Sequence, residues 1–278
     1  MNPIPNSAST HASMAPRELA LAGVALLAAL AVPAALALFI DERTLLGVSV
    51  WHKPLKFDLS LALHLLTLQV LLRCLASPLA PKPAALLRLA LLVSVFCVLV
   101  EAMYITLQAA RGRASHFNQQ TALESFMYTG VMGTAALLIL AGAFVVGWLL
   151  WRHGDAQAPA GLRWGGAAGL MLGSLATLVV VIPLSSGMVD GPGHWVGGMR
   201  TDASGLPLTG WSTSGGDLRV PHFFATHMMQ ALPLVGWLAD RFDPHRAIKW
   251  VAVAAVLAIA VVAATFVQAL AGRALFTA

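Results

Sequence analysis

Residues 164–187, WGGAAGLMLGSLATLVVVIPLSSG, hold no charged side chain. Crossing the hydrocarbon core as a helix takes about 20 mostly apolar residues, and this run is long enough. Six further stretches qualify, at about 18–40, 55–77, 84–110, 123–151, 221–240 and 248–271. The sequence therefore predicts an all-α polytopic transmembrane helical bundle of about seven spans. Composition agrees: 58% of the 278 residues are hydrophobic and 10% are charged, against ~25% charged in a soluble domain.

Residues 1–17 read as a disordered tail and 18–278 as one transmembrane domain with a long Gly-rich outer loop at 188–220. The tail lacks the basic flank of a signal peptide, so the first span reads as retained. Pro33 is tolerable as a kink inside that span. Pro221 suits the first turn of the sixth, where its missing N–H would be unpaired anyway. Cys74 and Cys97 form no CxxC pair and read as packing residues. The net charge of +5 lies in short loops. Without a basic patch interleaved with aromatics, it points to membrane lipids as partners rather than nucleic acid.

Alternating the spans puts the N-terminus, 78–83, 152–163 and 241–247 on one face. The other face receives 41–54, 111–122, 188–220 and the C-terminus. Trp148, Trp151, Trp164, Trp237 and Trp250 then fall together at the first face, as an interfacial belt would. Flanking Lys and Arg number nine on the first face and eight on the second, so the positive-inside rule barely chooses. The first face, with the N-terminus, is assigned to the cytoplasm because the long loop is easier to place outside. No internal repeat supports an inverted-repeat transporter.

The outer segments carry the chemistry. They are Trp51-His52-Lys53-Pro54-Leu55-Lys56-Phe57-Asp58, then 111–121, then Gly215 to His227. Three ionisable residues stand out well inside spans: His64, nine after Leu55; Glu101, nine before Ala110; and His227, six after Pro221. At 1.5 Å per residue these lie roughly 9–14 Å below the outer surface. Such residues are costly in a bilayer and are functional candidates by default. Around them the sequence places His52, Lys53, Lys56, Ser60, Tyr104, Gln108, Arg111, His116, Asn118, Asp217, Arg219, His222 and Gln230 as supporting or ligand-binding groups. The expectation is a polar cleft narrowing to a His–Glu–His floor.

Two imidazoles facing one another are the usual axial ligands of haem b. The set of two His and one Glu also suits catalytic zinc, or an iron or copper centre. A redox role is preferred to hydrolysis because no nucleophile or base beyond the ligands is evident. The alternatives are a zinc-dependent membrane hydrolase and a non-catalytic protein that binds or senses a lipid or small solute. No polar path runs through the inner half of the spans, which counts against transport.

The strings WHKPLKF (51–57), ARGRASHFN (110–118) and GGDLRVPHFFATH (215–227) resemble those of a family of uncharacterised bacterial multi-pass membrane proteins, from about Val48 to Asp240. That resemblance implies a bacterial inner membrane and treats the outer motifs as a unit. The chain is also similar to the seven-span metallohydrolases of the alkaline ceramidase and adiponectin-receptor group. Ser60-Leu61-Ala62-Leu63-His64 and Glu101 match two of that group's three motifs, which implies a zinc site. The third departs, since His222 and His227 are separated by four residues and lie on span six.

Overall fold

The computed structural model describes residues 14–277. Up to residue 13, the expected disordered tail lies outside that range. Seven long helices cross a common thickness: α1 (Pro16–Ile40), α2 (His52–Leu71), α3 (Pro81–Ala110), α4 (Ala122–His153), α5 (Ala160–Ser186), α6 (Arg219–Phe242) and α7 (Ala247–Leu270). Six are long and apolar enough to cross a membrane, and α6 falls outside that set. The protein is a multi-pass helical membrane protein. Because α6 packs into the bundle along much of its length, it tolerates a more polar composition than a helix surrounded by lipid.

Sidedness is visible in contacts between chain ends. At one face the backbone of Ala76 donates to His153, and that of Asp155 to Cys74. At the other, Gly216 touches Ala269, beside the end of α7. Two helices, α6 and α7, separate the 187–218 connection from the C-terminal end, so the contact between them requires both to cross and the alternation holds through α6.

The tightest packing joins α5 to α6. Gly161, Gly165, Gly169 and Gly173 recur every four residues and form one helix face. Each lies against α6 backbone: a Cβ on Gly161 would strike the Gly236 carbonyl, one on Gly165 the Leu232 carbonyl, and one on Gly169 would sit 2.7 Å from the Met228 carbonyl. Small residues at this spacing let helices approach where lipid supplies no hydrophobic drive between them. Asp240 closes the inner end of the seam, its two carboxylate oxygens accepting from Gly161 N and Leu162 N at 2.7 Å each. These are free donors of the first turn of α5, and an acidic cap also suits the helix dipole.

Three connections cover the other end, the face that the sequence reading assigns to the outside. The first is a hairpin of β1 (Thr44–Leu45) and β2 (Val48–Ser49), paired antiparallel. Asp41 clamps it, accepting from Arg43 Nε at 2.9 Å and Trp51 Nε1 at 2.8 Å. Those bonds hold the Asp41 carboxyl well below its ordinary value. Arg43 also donates to the Ala110 carbonyl at 3.0 Å, satisfying the end of α3. The second connection, 111–121, leads to the side-chain cap of α4, where Thr121 Oγ1 accepts from Glu124 N at 3.2 Å. The third, 187–218, is pinned by β3 (Trp195–Val196) pairing with β4 (Gly216–Asp217).

One boundary differs from the sequence reading in a way that matters. α2 begins at His52, so the string from His52 to Asp58 is two helical turns and not a loop.

Candidate functional site: a polar cluster beneath the 187–218 connection

Lys53, Phe57 and His64 share one face of α2, at spacings of four and seven. Phe57 packs into a small cluster with Tyr104, Ile105, Met127 and Met132, and the Lys53 ammonium lies 5.7 Å from the Phe57 ring centre. Lys53 is close enough to Arg219, Asp202, Glu101 and Lys56 to feel their charges. Among the described residues no carboxylate comes within ion-pair distance of it.

His116 forms the adjoining wall. Its ring stands 5.3 Å from Phe57 and 5.8 Å from Tyr128, and Ser115 Oγ lies 3.1 Å from its Nδ1. Burial holds this imidazole well below its ordinary pKa, and the charges of Lys53 and His222 push in the same direction. Tyr128 sits in a π-helical turn, Met127–Met132, that interrupts α4. Such turns recur at functional sites because the extra residue redirects a side chain. His222, on the first turns of α6, has a buried Nδ1 with no partner.

The 187–218 connection roofs this space. Arg219 is its anchor, reaching Asp217 Oδ2 at 2.7 Å, Asp202 Oδ1 at 2.9 Å and the Gly210 carbonyl at 2.6 Å. Asp202 N donates to the Leu46 carbonyl at 3.1 Å, tying the roof to the β1–β2 hairpin. Lys56 Nζ reaches the Thr209 carbonyl at 3.4 Å. His194 is buried against Trp195, ring centres 3.7 Å apart. Its Nε2 lies 3.4 Å from Asp202 Oδ1, an ion-pair distance without the alignment of a hydrogen bond.

Burial lowers the His194 pKa, although Asp202 pulls the other way. For Asp202, burial raises the pKa, but His194 and Arg219 outweigh it and the result lies below the ordinary value. Both groups therefore favour the closed roof at neutral pH. A depressed histidine loses stability as pH falls from 6.5 through its folded value. The aspartate follows only below 3.8. Acidification from pH 7.5 to about 5 is therefore expected to speed proteolysis within 187–218. His194→Gln should remove that dependence, and an unchanged pH profile in the variant would show that His194 is not the titrating group.

The expected His64–Glu101–His227 floor is not assembled. Among the described residues no group of three or more His, Cys, Asp or Glu is placed to hold a metal. His64 and Glu101 are buried, at 7% and 5% exposure. His227 is half-buried, stacks on Phe223 at 4.0 Å between ring centres, and places Nδ1 2.8 Å from the Phe223 carbonyl. The three therefore form no three-ligand metal group among the described residues.

The supporting residues divide. Lys53, Lys56, His116, Asp217, Arg219 and His222 gather at the chamber, with Glu101 below Lys53. Gln108 bridges Tyr104 Oη at 3.1 Å and the Ala114 carbonyl at 3.2 Å, and Arg111 holds Gln108 Oε1 at 2.8 Å. Asn118 donates to the same Ala114 carbonyl at 3.0 Å, so these residues shape the second connection. His52 and Ser60 are exposed and Gln230 is half-exposed.

Two participants escaped the sequence reading: His194 and Asp202 sit in a Gly-rich stretch where no spacing marks them. Asp58, which closes the first outer segment of the sequence, is 1% exposed with neither oxygen partnered, and the start of α2 at His52 sets it nearly two turns inside the helix. No family model, curated protein or solved structure matches the chain.

Proposed function

We propose that the protein binds an anionic ligand, a small solute or a lipid headgroup, in the outward-facing chamber, with Lys53 as the charge anchor. The observation that carries this reading is the Lys53 ammonium, half-buried beside the Phe57 ring with no carboxylate within ion-pair distance among the described residues, while neighbouring Arg219 is already served by two carboxylates. A partly desolvated cation without a partner is destabilising, and an anion placed beside it recovers that energy. His222 Nδ1 and Lys56 offer further contacts from two different helices. Lysine suits this task as a compact charge with three donors, able to serve phosphate or carboxylate oxygens.

A haem, zinc, iron or copper site on His64, Glu101 and His227 would need those side chains to converge. The anion-anchor reading rests on Lys53 and needs no such group. Detergent-purified protein is expected to gain thermal stability with glycerol 3-phosphate but not with glycerol at matched ionic strength. Lys53→Gln should abolish the gain while melting close to wild type in the absence of ligand. Persistence of the gain in Lys53→Gln would remove Lys53 as anchor. A Soret band or stoichiometric metal in the same preparation, lost in His64→Ala, would replace this reading with a cofactor site.

A further inference from the structure

Beside its packed face, α2 carries an exposed stripe at Lys56, Ser60 and Leu63, with half-exposed Thr67 one turn deeper. α6 carries a matching one at Phe223, His227, Gln230 and Leu234, half-exposed to exposed. Both follow the i, i+4, i+7, i+11 spacing of a single helix face. The two helices approach at their outer ends, where Lys56 Nζ and Arg219 Nη1 both border Gly210. Along their whole length the two helices make few direct contacts. Ser60 is thus exposed and His227 and Gln230 are half-exposed at membrane depth, where an unmet polar group is costly; His227 engages the Phe223 carbonyl through Nδ1.

The order of chemistry along these stripes is informative. Cations lie outermost (Lys53 and Lys56), and the hydroxyl of Ser60 follows one turn, about 6 Å, deeper. His227 and Gln230 stand on the exposed stripe of α6, and apolar Leu63 and Leu234 lie deeper still on their own helices. A phospholipid carries its groups in that sequence: anionic phosphate, glycerol and ester oxygens, then acyl chain. A free solute would satisfy only the outermost part.

We infer that the chamber continues sideways into a cleft between α2 and α6, and that its ligand is an anionic phospholipid entering from the outer leaflet. This rests on the reading of Lys53 as an anion anchor. The phosphate would pair with Lys53 and Lys56, the Ser60 hydroxyl and Gln230 amide would donate to ester carbonyls, and an acyl chain would lie along Leu63 and Leu234. The ligand's polar belt would cover the polar side chains that α2 and α6 leave open.

The test compares three probes on the full-length protein. These are phosphatidylglycerol in phosphatidylcholine nanodiscs, phosphatidylcholine alone, and glycerol 3-phosphate in detergent. Bound phosphatidylglycerol is expected by native mass spectrometry at about one per chain, exchanging slowly, with affinity at least about tenfold above glycerol 3-phosphate. Ser60→Trp, a change at an exposed position, should obstruct the cleft and cut lipid binding about tenfold while leaving glycerol 3-phosphate unaffected. Equal affinity for lipid and glycerol 3-phosphate, or lipid binding untouched by Ser60→Trp, overturns the cleft and leaves the anion anchor standing. If no anionic probe binds, or all bind equally well to Lys53→Gln, the anchor itself is wrong.

Discussion

Gly165→Leu is expected to prevent α5 and α6 from seating, and to do so more severely than any other single change considered. The Cβ alone would land on the Leu232 carbonyl, with the Leu232 carbonyl carbon and Pro233 Cα next at 3.0 Å each. These are backbone atoms on a packed helix and cannot rotate away as a side chain tip could. Overpacking in a yielding core costs typically 1–3 kcal/mol, and displacing a whole helix should exceed that range. The variant should fail to yield monodisperse protein in mild detergent. Gly165→Ala should fold with a lowered melting temperature, and Gly169→Ala, whose nearest backbone contact is 2.7 Å, should behave similarly. Gly133→Ala is the control: its nearest neighbour would be 3.7 Å away, and alanine is the better helix former. If Gly165→Leu and Gly133→Ala purify and melt alike, the glycine seam does not hold the bundle.

Asp217→Ala should release the roof of the chamber. Asp217 is buried and accepts from Ser212 N at 2.9 Å, Arg219 N at 2.9 Å, Arg219 Nε at 3.0 Å and Arg219 Nη2 at 2.7 Å. Removing it strands the Arg219 guanidinium beside Lys53 and Lys56, with Asp202 left as its one ion-pair partner among the described residues. Breaking one side of a buried pair costs about 3–5 kcal/mol, which should be reduced here because Arg219 is a quarter exposed. The expected readout is rapid proteolysis between Met188 and Leu218 in a protein whose helices remain intact by circular dichroism. Asp217→Asn keeps the shape but loses the charge and should fall between. Wild-type resistance to protease in Asp217→Ala would mean that the strand pair and the hairpin contacts secure the roof without this ion pair.

Both experiments probe contacts that the sequence displays only in part. Gly161, Gly165, Gly169 and Gly173 stand in plain view at a four-residue period, yet nothing in their own helix names α6 as the partner. Asp217 and Arg219 are two apart and readable as a local pair. That Asp202, fifteen residues upstream in the chain, completes their charge balance follows only from how the connection folds back.

What the sequence determined by itself was the membrane-crossing architecture: the number of helices, their alternation, and the concentration of polar groups at the outer ends. Those features depend on local composition and on the roughly 20-residue length that a bilayer imposes, and both are written along the chain. Facing was left to the tertiary structure. Residues at equal depth on different helices meet only if each helix is rotated to suit, and rotation is set by packing details such as the α5–α6 glycine seam. His64, Glu101 and His227 share a depth and do not form a common ligand set. Lys53, His116 and His222, which the sequence reading placed around that floor, face one another because α2 starts at His52 and because two connections fold over its first turns.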